Sequence, residues 1–283
     1  MSDAALQSYV RHWLAARPAR LACAPFLGSH VAGTVHALAA LEHEVLDVLA
    51  SVREPQVADA KLRWWADEMA AVPAGTARHP LTQALAGDAA AVRIAAAQWR
   101  RPAECALAAA AATTPADDTT QWEQALAVCA PWAALEAAWW HGPGADSAVA
   151  AQAAAVAWRV DDLLRLPEQR ERPRLPLSMQ CLARHGLARD GLATDTAARR
   201  NAVREQCAAL AERAMALLHT KPALAPLRGF DLRLDAASLR QAARSTDPLP
   251  ALARRRGRPG PAAVLAAWRA ARAAGVRAVD PGH

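Results

Sequence analysis

The chain has 283 residues, of which 53% are hydrophobic, and a formal net charge of +6. This length and composition are sufficient for one large domain with a sizeable core. Of the 33 basic residues, 31 are arginine, in a sequence also rich in alanine and proline. Such a bias is typical of GC-rich genomes, so no nucleic acid partner is expected. Alanine is the best helix former and strand-like runs are absent, which predicts an all-α fold.

Helical periodicity can be followed nearly end to end, with interruptions at proline and glycine. The predicted helices, in chain order, cover residues 4–16, 26–52, 55–69, 80–85, 89–100, 119–141, 147–166, 177–185, 194–219, 236–256 and 261–274. A charged, proline-rich loop is predicted at 167–176, and fraying from about residue 275. No fixed repeat or long linker interrupts the chain, so residues 1–283 are predicted to form a single domain.

The sequence also bears on compartment and membrane contact. The five cysteines are odd in number, widely spaced and without a C-x-x-C pair, which argues against disulfides or a zinc site and for a reducing, cytoplasmic location. The first residues lack the pattern of a signal peptide. Residues 21–41 carry no charge and are long enough to span a bilayer, but proline, glycine and polar residues interrupt them. We therefore expect a core helix there.

Charge is distributed unevenly along the chain. Residues 1–164 have a net charge of −6 and residues 165–283 a net charge of +12. This asymmetry indicates either an anionic partner, such as a membrane surface or a phosphate compound, or a solvated arginine surface. The densest basic cluster, and the candidate contact surface, consists of Arg254, Arg255, Arg256 and Arg258. Each arginine near an anionic lipid surface would add about 1 kcal/mol, although arginines also favour a helix C-terminus.

Three stretches, taken in order, resemble the squalene/phytoene synthase family. The first joins residues 61–68 (KLRWWADE), a following glycine and residues 78–85 (RHPLTQAL). The second is residues 157–165 (AWRVDDLLR), which is similar to the helix that enters the family's second acidic motif. The third is residues 174–176 (RLP), similar to the loop after that motif. Order and spacing hold from about residue 20 to 176.

The resemblance implies a bundle of helices around a central cavity, the isoprenoid-synthase type of fold. In active members of the family, two acidic motifs face each other across that cavity and hold magnesium on the diphosphates of two prenyl substrates. The chemistry needs the metal because diphosphate leaves as a highly charged anion. Magnesium prefers oxygen ligands, chiefly carboxylates, phosphate oxygens and water.

This sequence departs from that pattern at the acidic positions. Against the first motif, Asp47 is acidic, whereas Leu46 and Ala50 are not. Against the second, the expected acids read Leu166, Gln169 and Arg170. The candidate remnant diphosphate or metal site consists of Glu44, Asp47, Asp161, Asp162 and Arg165. These residues suit either a remnant site or structural ion pairs, such as Arg165 with an aspartate three or four residues earlier, or Glu44 and Asp47 with arginines of a neighbouring helix.

Two functions follow from this pattern. One is a non-catalytic binding or assembly module, because the family includes a mitochondrial assembly factor for respiratory complex I that also lacks the acidic motifs. The other is a divergent, magnesium-dependent prenyltransferase acting on isoprenoid diphosphates. Catalytic residues and metal ligands are not assigned, and magnesium is expected only in the second case. The partners considered are a prenyl diphosphate, a membrane-associated protein or an anionic membrane.

Overall fold

The computed structural model of the protein describes residues 3–27, 29–168, 172–220, 222–257 and 259–275. Over these residues the secondary structure is helical and contains no strand. The α-helices are α1 (Asp3–Ala16), α2 (Ser29–Ser51), α3 (Pro55–Ala70), α4 (Pro80–Ala86), α5 (Ala96–Ala110), α6 (Asp118–His141), α7 (Ala148–Leu164), α8 (Met179–Arg184), α9 (Ala197–His219), α10 (Pro226–Ala243), α11 (Pro248–Arg256) and α12 (Pro261–Ala273). Short 3-10 segments lie at Pro18–Phe26, Ala91–Arg93, Leu166–Glu168 and Arg189–Leu192.

Helix ends follow local chemistry. Helices α3, α4, α10, α11 and α12 all begin with proline, whose fixed φ and missing N–H suit the first helical turn. The side chains of Asp117, Ser178 and Thr196 accept hydrogen bonds from backbone N–H groups at the starts of α6, α8 and α9. Helix α6 is followed by Gly142, whose φ of 99° lies in the region of positive φ that glycine adopts at little steric cost.

Two large apolar clusters hold the bundle together. One is formed mainly by α1 to α5 and includes Trp13, Trp99 and Trp132, each almost fully buried. The other is formed by α7 to α11. The closest helix pairs are α3 with α5, α6 with α7 and α9 with α10, and α10 also packs against α7, α11 and α12. The predicted all-α, single-domain architecture with helices around a central cavity is confirmed.

The helix predicted from residue 236 to 256 is in fact two helices, and it begins earlier. Helix α10 starts at Pro226 and ends at Ala243, and α11 restarts at Pro248. The first half of α10 escaped prediction because Arg228, Asp231 and Asp235 interrupt its apolar pattern, although all three side chains are buried. Ion pairing, described below, is what allows these charges inside the bundle.

Two further predictions concern the shape of single segments. The helix expected at residues 89–100 is a 3-10 turn followed by α5, with an extended residue, Ile94, between them. The apolar stretch at residues 21–41 enters the core through α2, as expected. Among the residues that the structure describes, no helix combines the length and apolarity needed to cross a membrane.

Candidate functional site

A central cavity lies between α2, α6, α7 and α10, with the segment after α1 closing one side. Its volume is about 90 Å³. Sites for drug-sized ligands usually enclose about 300–1,000 Å³. Part of the wall is apolar and includes Trp13, Trp158 and Leu227. Most of the remaining wall is made of arginine and carboxylate side chains, which fall into three networks and one rim pair.

The first, called here the Asp161 network, consists of Arg17, Arg20, Arg256, Asp161, Asp231 and Asp235. Asp231 accepts from Arg17 Nη1 at 3.1 Å and from Arg20 Nη2 at 2.7 Å. Arg256 donates to both oxygens of Asp235, at 2.7 and 2.6 Å. Asp161 lies between Arg17 and Arg256 and accepts from both. The network therefore ties α7, α10, α11 and the segment after α1 together.

The electrostatics of this network keep two of its acids, Asp161 and Asp231, ionised, whereas burial raises the pKa of Asp235 despite attraction to Arg256 and Arg17. Burial raises the pKa of Asp161, but attraction to Arg17 and Arg256 outweighs burial and holds that pKa well below its usual range. Burial opposes ionisation of Asp231 in the same way, and Arg20 and Arg17 nevertheless lower its pKa to about 2. These carboxylates stay charged because fixed guanidinium groups replace the water they lose.

The second, the Arg228 network, joins α10 to α2 and α6. Arg228 donates from Nη2 to Glu42 at 2.8 Å and from Nε to Glu136 at 3.0 Å. Burial alone would lower the pKa of Arg228, but the two glutamates raise it far above its ordinary value. One buried cation is thus shared by carboxylates on two neighbouring helices, and burial raises the pKa of Glu136 despite the attraction to Arg228.

The third, the Asp162 network, contains Arg159, Arg174 and Asp162. Arg174 Nη2 donates to Asp162 at 2.9 Å, and its guanidinium lies 4.5 Å from the ring centroid of Trp158. Arg159 is 3.3 Å from Asp162 and also donates to the carbonyl of Pro176. The Arg-Leu-Pro segment recognised in the sequence therefore contributes the Arg174 side chain to the cavity wall, and its Pro176 carbonyl holds the buried Arg159.

Four of the five candidate remnant-site residues, Asp47, Asp161, Asp162 and Arg165, line the central cavity, but their side chains have different partners. Asp47 and Arg165 form an ion pair at 3.0 Å across the cavity rim, with each side chain about one third exposed (30% and 34%). Glu44 instead faces His12, at 2.9 Å. The expected pairing of Arg165 with an aspartate on its own helix is not the contact that forms. Arg165 follows the last residue of α7, from where its side chain crosses to α2.

Asp161 and Asp162 belong to two different networks, because adjacent residues on a helix point about 100° apart. Leu166, at a position where the family has an acid, is fully buried. Gln169 and Arg170, the other two such positions in the second motif, lie outside the described residues. The carboxylates that remain on α7 therefore serve two separate arginine clusters.

The cavity carboxylates do not form a magnesium site from protein ligands alone. Within the described part of the chain, no three carboxylate, imidazole or thiol ligand atoms around this cavity lie close enough together to hold one ion. Glu42, Asp161 and Asp231 already have arginine partners. Burial lowers the pKa of His43 to about 4, so its imidazole is neutral at pH 7. A metal would have to displace several ion pairs at once.

The structure corrects one member of the predicted basic surface. Arg256 is only 4% exposed and points inward to Asp235 and Asp161. Arg254 is exposed, as expected. The Arg255 side chain and Arg258 lie outside the described part of the structure. Helix periodicity explains the difference, because residues 254 and 256 are about 200° apart around α11.

Several residues of the networks were not identified from the sequence, namely Arg17, Arg20, Glu136, Arg228, Asp231 and Asp235. One signal was available. Arg228, Asp231 and Asp235 follow i, i+3, i+7 spacing, which places them on one face of a helix. A charged stripe of this kind is typical of a solvated face, and the sequence contains no information that would place its partners on α2, α6, α11 and the segment after α1.

Comparison with known proteins identifies the fold. No family model and no curated protein sequence matches the chain. Among solved structures, a dehydrosqualene synthase in complex with a ligand is 13% identical, with a TM-score of 0.66, over 94% of this chain and 96% of that one. Squalene synthase HpnC from Alicyclobacillus acidocaldarius is 16% identical, with a TM-score of 0.58, over 90% and 94% of the two chains. The chain therefore has the isoprenoid synthase fold of the squalene/phytoene synthase type.

Proposed function

We propose that this protein is a non-catalytic relative of the squalene/phytoene synthases that acts as a binding or assembly module, like the complex I assembly factors of that family. The observation that carries the proposal is the state of the cavity carboxylates. In place of two facing ladders of free acids, the described residues form arginine–carboxylate networks with closely matched charge.

The size of the cavity supports the same proposal. Two prenyl diphosphates need a large apolar chamber, whereas this cavity measures about 90 Å³ and its walls are bridged by ion pairs. Opening it would separate buried charges, and removing one partner of such a pair costs about 3–5 kcal/mol. The walls of the central cavity are thus suited to holding the helices in place rather than to admitting substrate.

The test is an activity assay on the purified chain. It is incubated with labelled farnesyl or geranylgeranyl diphosphate and magnesium, beside a dehydrosqualene synthase as positive control. We expect no lipid product above the protein-free background. A product that requires magnesium and disappears with a chelator would instead establish the divergent prenyltransferase.

For the contact surface of the module, we propose the outer face of α12 and an anionic membrane as its partner. Val264, Leu265 and Trp268 are 47%, 45% and 42% exposed on this helix. Leu21, 51% exposed, lies on the 3-10 segment that packs against α12. Exposed apolar side chains flanked by arginine are typical of helices that lie in a membrane interface.

The charges of α12 agree with an anionic partner. The helix contains Arg269 and Arg272 but no acidic residue. The Arg272 guanidinium lies 5.0 Å from the centroid of Trp268. Burial lowers the pKa of Arg233, and the nearby positive charge of Arg269 lowers it further. Arginine density is therefore high on the side of the bundle where apolar residues are exposed.

This surface is tested by co-sedimentation with vesicles of phosphatidylcholine, with and without phosphatidylserine. We expect binding only to the anionic vesicles, weakened by salt and by Trp268→Ser. Trp64→Ser is the matched control, since Trp64 is 47% exposed on α3. An equal loss of vesicle binding in both variants would exclude α12 as the contact surface. Equal binding to neutral and anionic vesicles would exclude an anionic membrane as the partner.

A further inference from the structure

Three side chains with metal-ligating atoms meet between α8 and α9, outside the central cavity. Cys181 and His185 are four residues apart, on α8 and at its C-cap, so they lie on one face. Glu205 projects from α9 toward them. The ligand atoms of the three residues all lie within 4.8 Å of one another. This proximity exists only in the folded chain.

The surroundings prearrange the three groups. Cys181 is fully buried, whereas the side chains of His185 and Glu205 are 17% and 35% exposed, so the cluster can be reached from solvent on one side. Glu205 Oε2 lies 2.8 Å from His185 Nε2, and its other oxygen is held by Arg184. Arg184 therefore orients the Glu205 carboxylate, in the same way that a hydrogen-bond partner outside the coordination sphere orients a metal ligand.

The chemistry of the set favours a borderline-soft divalent ion. Thiolate, imidazole and carboxylate are the zinc ligands of proteins, and tetrahedral zinc keeps such atoms about 3.3–3.8 Å apart. A side-chain shift of about 1 Å would bring the present atoms to that spacing. Burial raises the pKa of Cys181 to about 11, with a contribution from Asp118. A bound cation would replace the thiol proton and stabilise the thiolate.

We propose that Cys181, His185 and Glu205 bind a divalent transition metal ion, with zinc as the ion that suits the ligands and water as the fourth ligand. The ion ties α8 to α9. Cysteine spacing argued against a zinc site, since no C-x-x-C pair is present. The structure instead assembles the ligands of such a site from Cys181 and His185, which are an i, i+4 pair, and from Glu205, 20 positions after His185. This proposal is independent of the proposed function.

The experiment uses the full chain, stripped of metal by a chelator under reducing conditions and titrated with Co²⁺. We expect one ion per chain, a thiolate-to-cobalt charge-transfer band, the visible bands of tetrahedral cobalt, and their loss when Zn²⁺ is added. Cys181→Ser should abolish the charge-transfer band. It should also weaken affinity by at least about 100-fold, since loss of an outer-shell partner alone costs about 10–100-fold.

Two further variants keep the test decisive. Glu205→Gln changes a half-buried residue, so it should fold even if Cys181→Ser does not, and it should weaken cobalt binding while keeping the charge-transfer band. Cys207→Ser is the matched control, because Cys207 is equally buried on α9 but outside the cluster. No cobalt band in the parent, an unchanged band in Cys181→Ser, or a band lost in Cys207→Ser would overturn the proposal.

Discussion

Two arginine–aspartate pairs in this protein have the same contact distance and very different surroundings. Arg20 and Asp231 meet at 2.7 Å inside the bundle, with side chains 13% and 7% exposed. Arg63 and Asp59 also meet at 2.7 Å, on the outer face of α3, but are 65% and 45% exposed. Distance is equal, so only burial and the number of partners distinguish the two pairs.

The comparison shows why charge pairs in the bundle and on its surface have different consequences. Water solvates the charged groups of the exposed pair whether or not the ion pair forms, so the pair contributes little to the stability of the fold. In the Asp161 network each carboxylate relies on arginines from other parts of the chain, and losing one partner leaves a charge buried without compensation. The interior pairs therefore make four segments of the sequence depend on one another.

The largest expected effect is for Arg256→Ser. This change leaves Asp235, only 1% exposed, without its two closest donors, and should lower the free energy of unfolding by about 3–5 kcal/mol. Urea denaturation measures it. Arg254→Ser, two residues away and exposed, is the matched control and should leave the urea midpoint unchanged. Similar destabilisation by both substitutions would contradict the burial argument.

A smaller effect is expected in the pH dependence of stability. The pKa of Asp231 falls from the model-peptide value of 3.8 to about 2 on folding. Its charge thus stabilises the protein fully above about pH 4, and this contribution of about 2 kcal/mol is lost as the pH falls to about 2. Asp231→Asn, although less stable throughout, should show a shallower decline of unfolding free energy between these pH values. Parallel curves would show that Asp231 is not the titrating group.

An intermediate case is the rim pair of Asp47 and Arg165. Because both side chains are about one third exposed, Asp47→Ala should cost about 1 kcal/mol or less, seen as a modest drop in melting temperature. Magnesium should not change the melting temperature of the parent or the variant. A rise in the parent alone would identify Asp47 as part of a metal site, since binding to the folded state stabilises it by mass action.

The smallest effect is expected for Asp59→Ala, which removes the exposed pair on α3. The urea midpoint should not move beyond experimental error, because solvent already screens both charges. Raising the salt concentration should make the parent and the variant indistinguishable. A loss comparable to that of Arg256→Ser would mean that partner distance, rather than burial, sets the strength of these pairs.

Sequence by itself determined the fold class, the helices bounded by proline and glycine, and the resemblance of residues 61–85 and 157–176 to the synthases. These features are local: helix propensity, capping and short motifs act within a few residues. The prediction that Leu46, Ala50 and Leu166 stand where the resembling family has acids also came from the sequence. The expectation that Asp47 pairs with an arginine from a neighbouring helix also came from the sequence, and the structure pairs Asp47 with Arg165.

Only the tertiary structure decided which charges are buried and with whom. Arg256 was predicted to be a surface cation but packs against Asp235, and Arg228, for which the sequence predicted no partner, is held by Glu42 and Glu136. Cys181 gained metal-ligating neighbours in the same way. The physical reason is common to all three. Apart from His185, which lies four residues after Cys181, their partners lie tens to nearly two hundred residues away, and a side chain's charge or thiol does not reveal whether water or another helix will surround it.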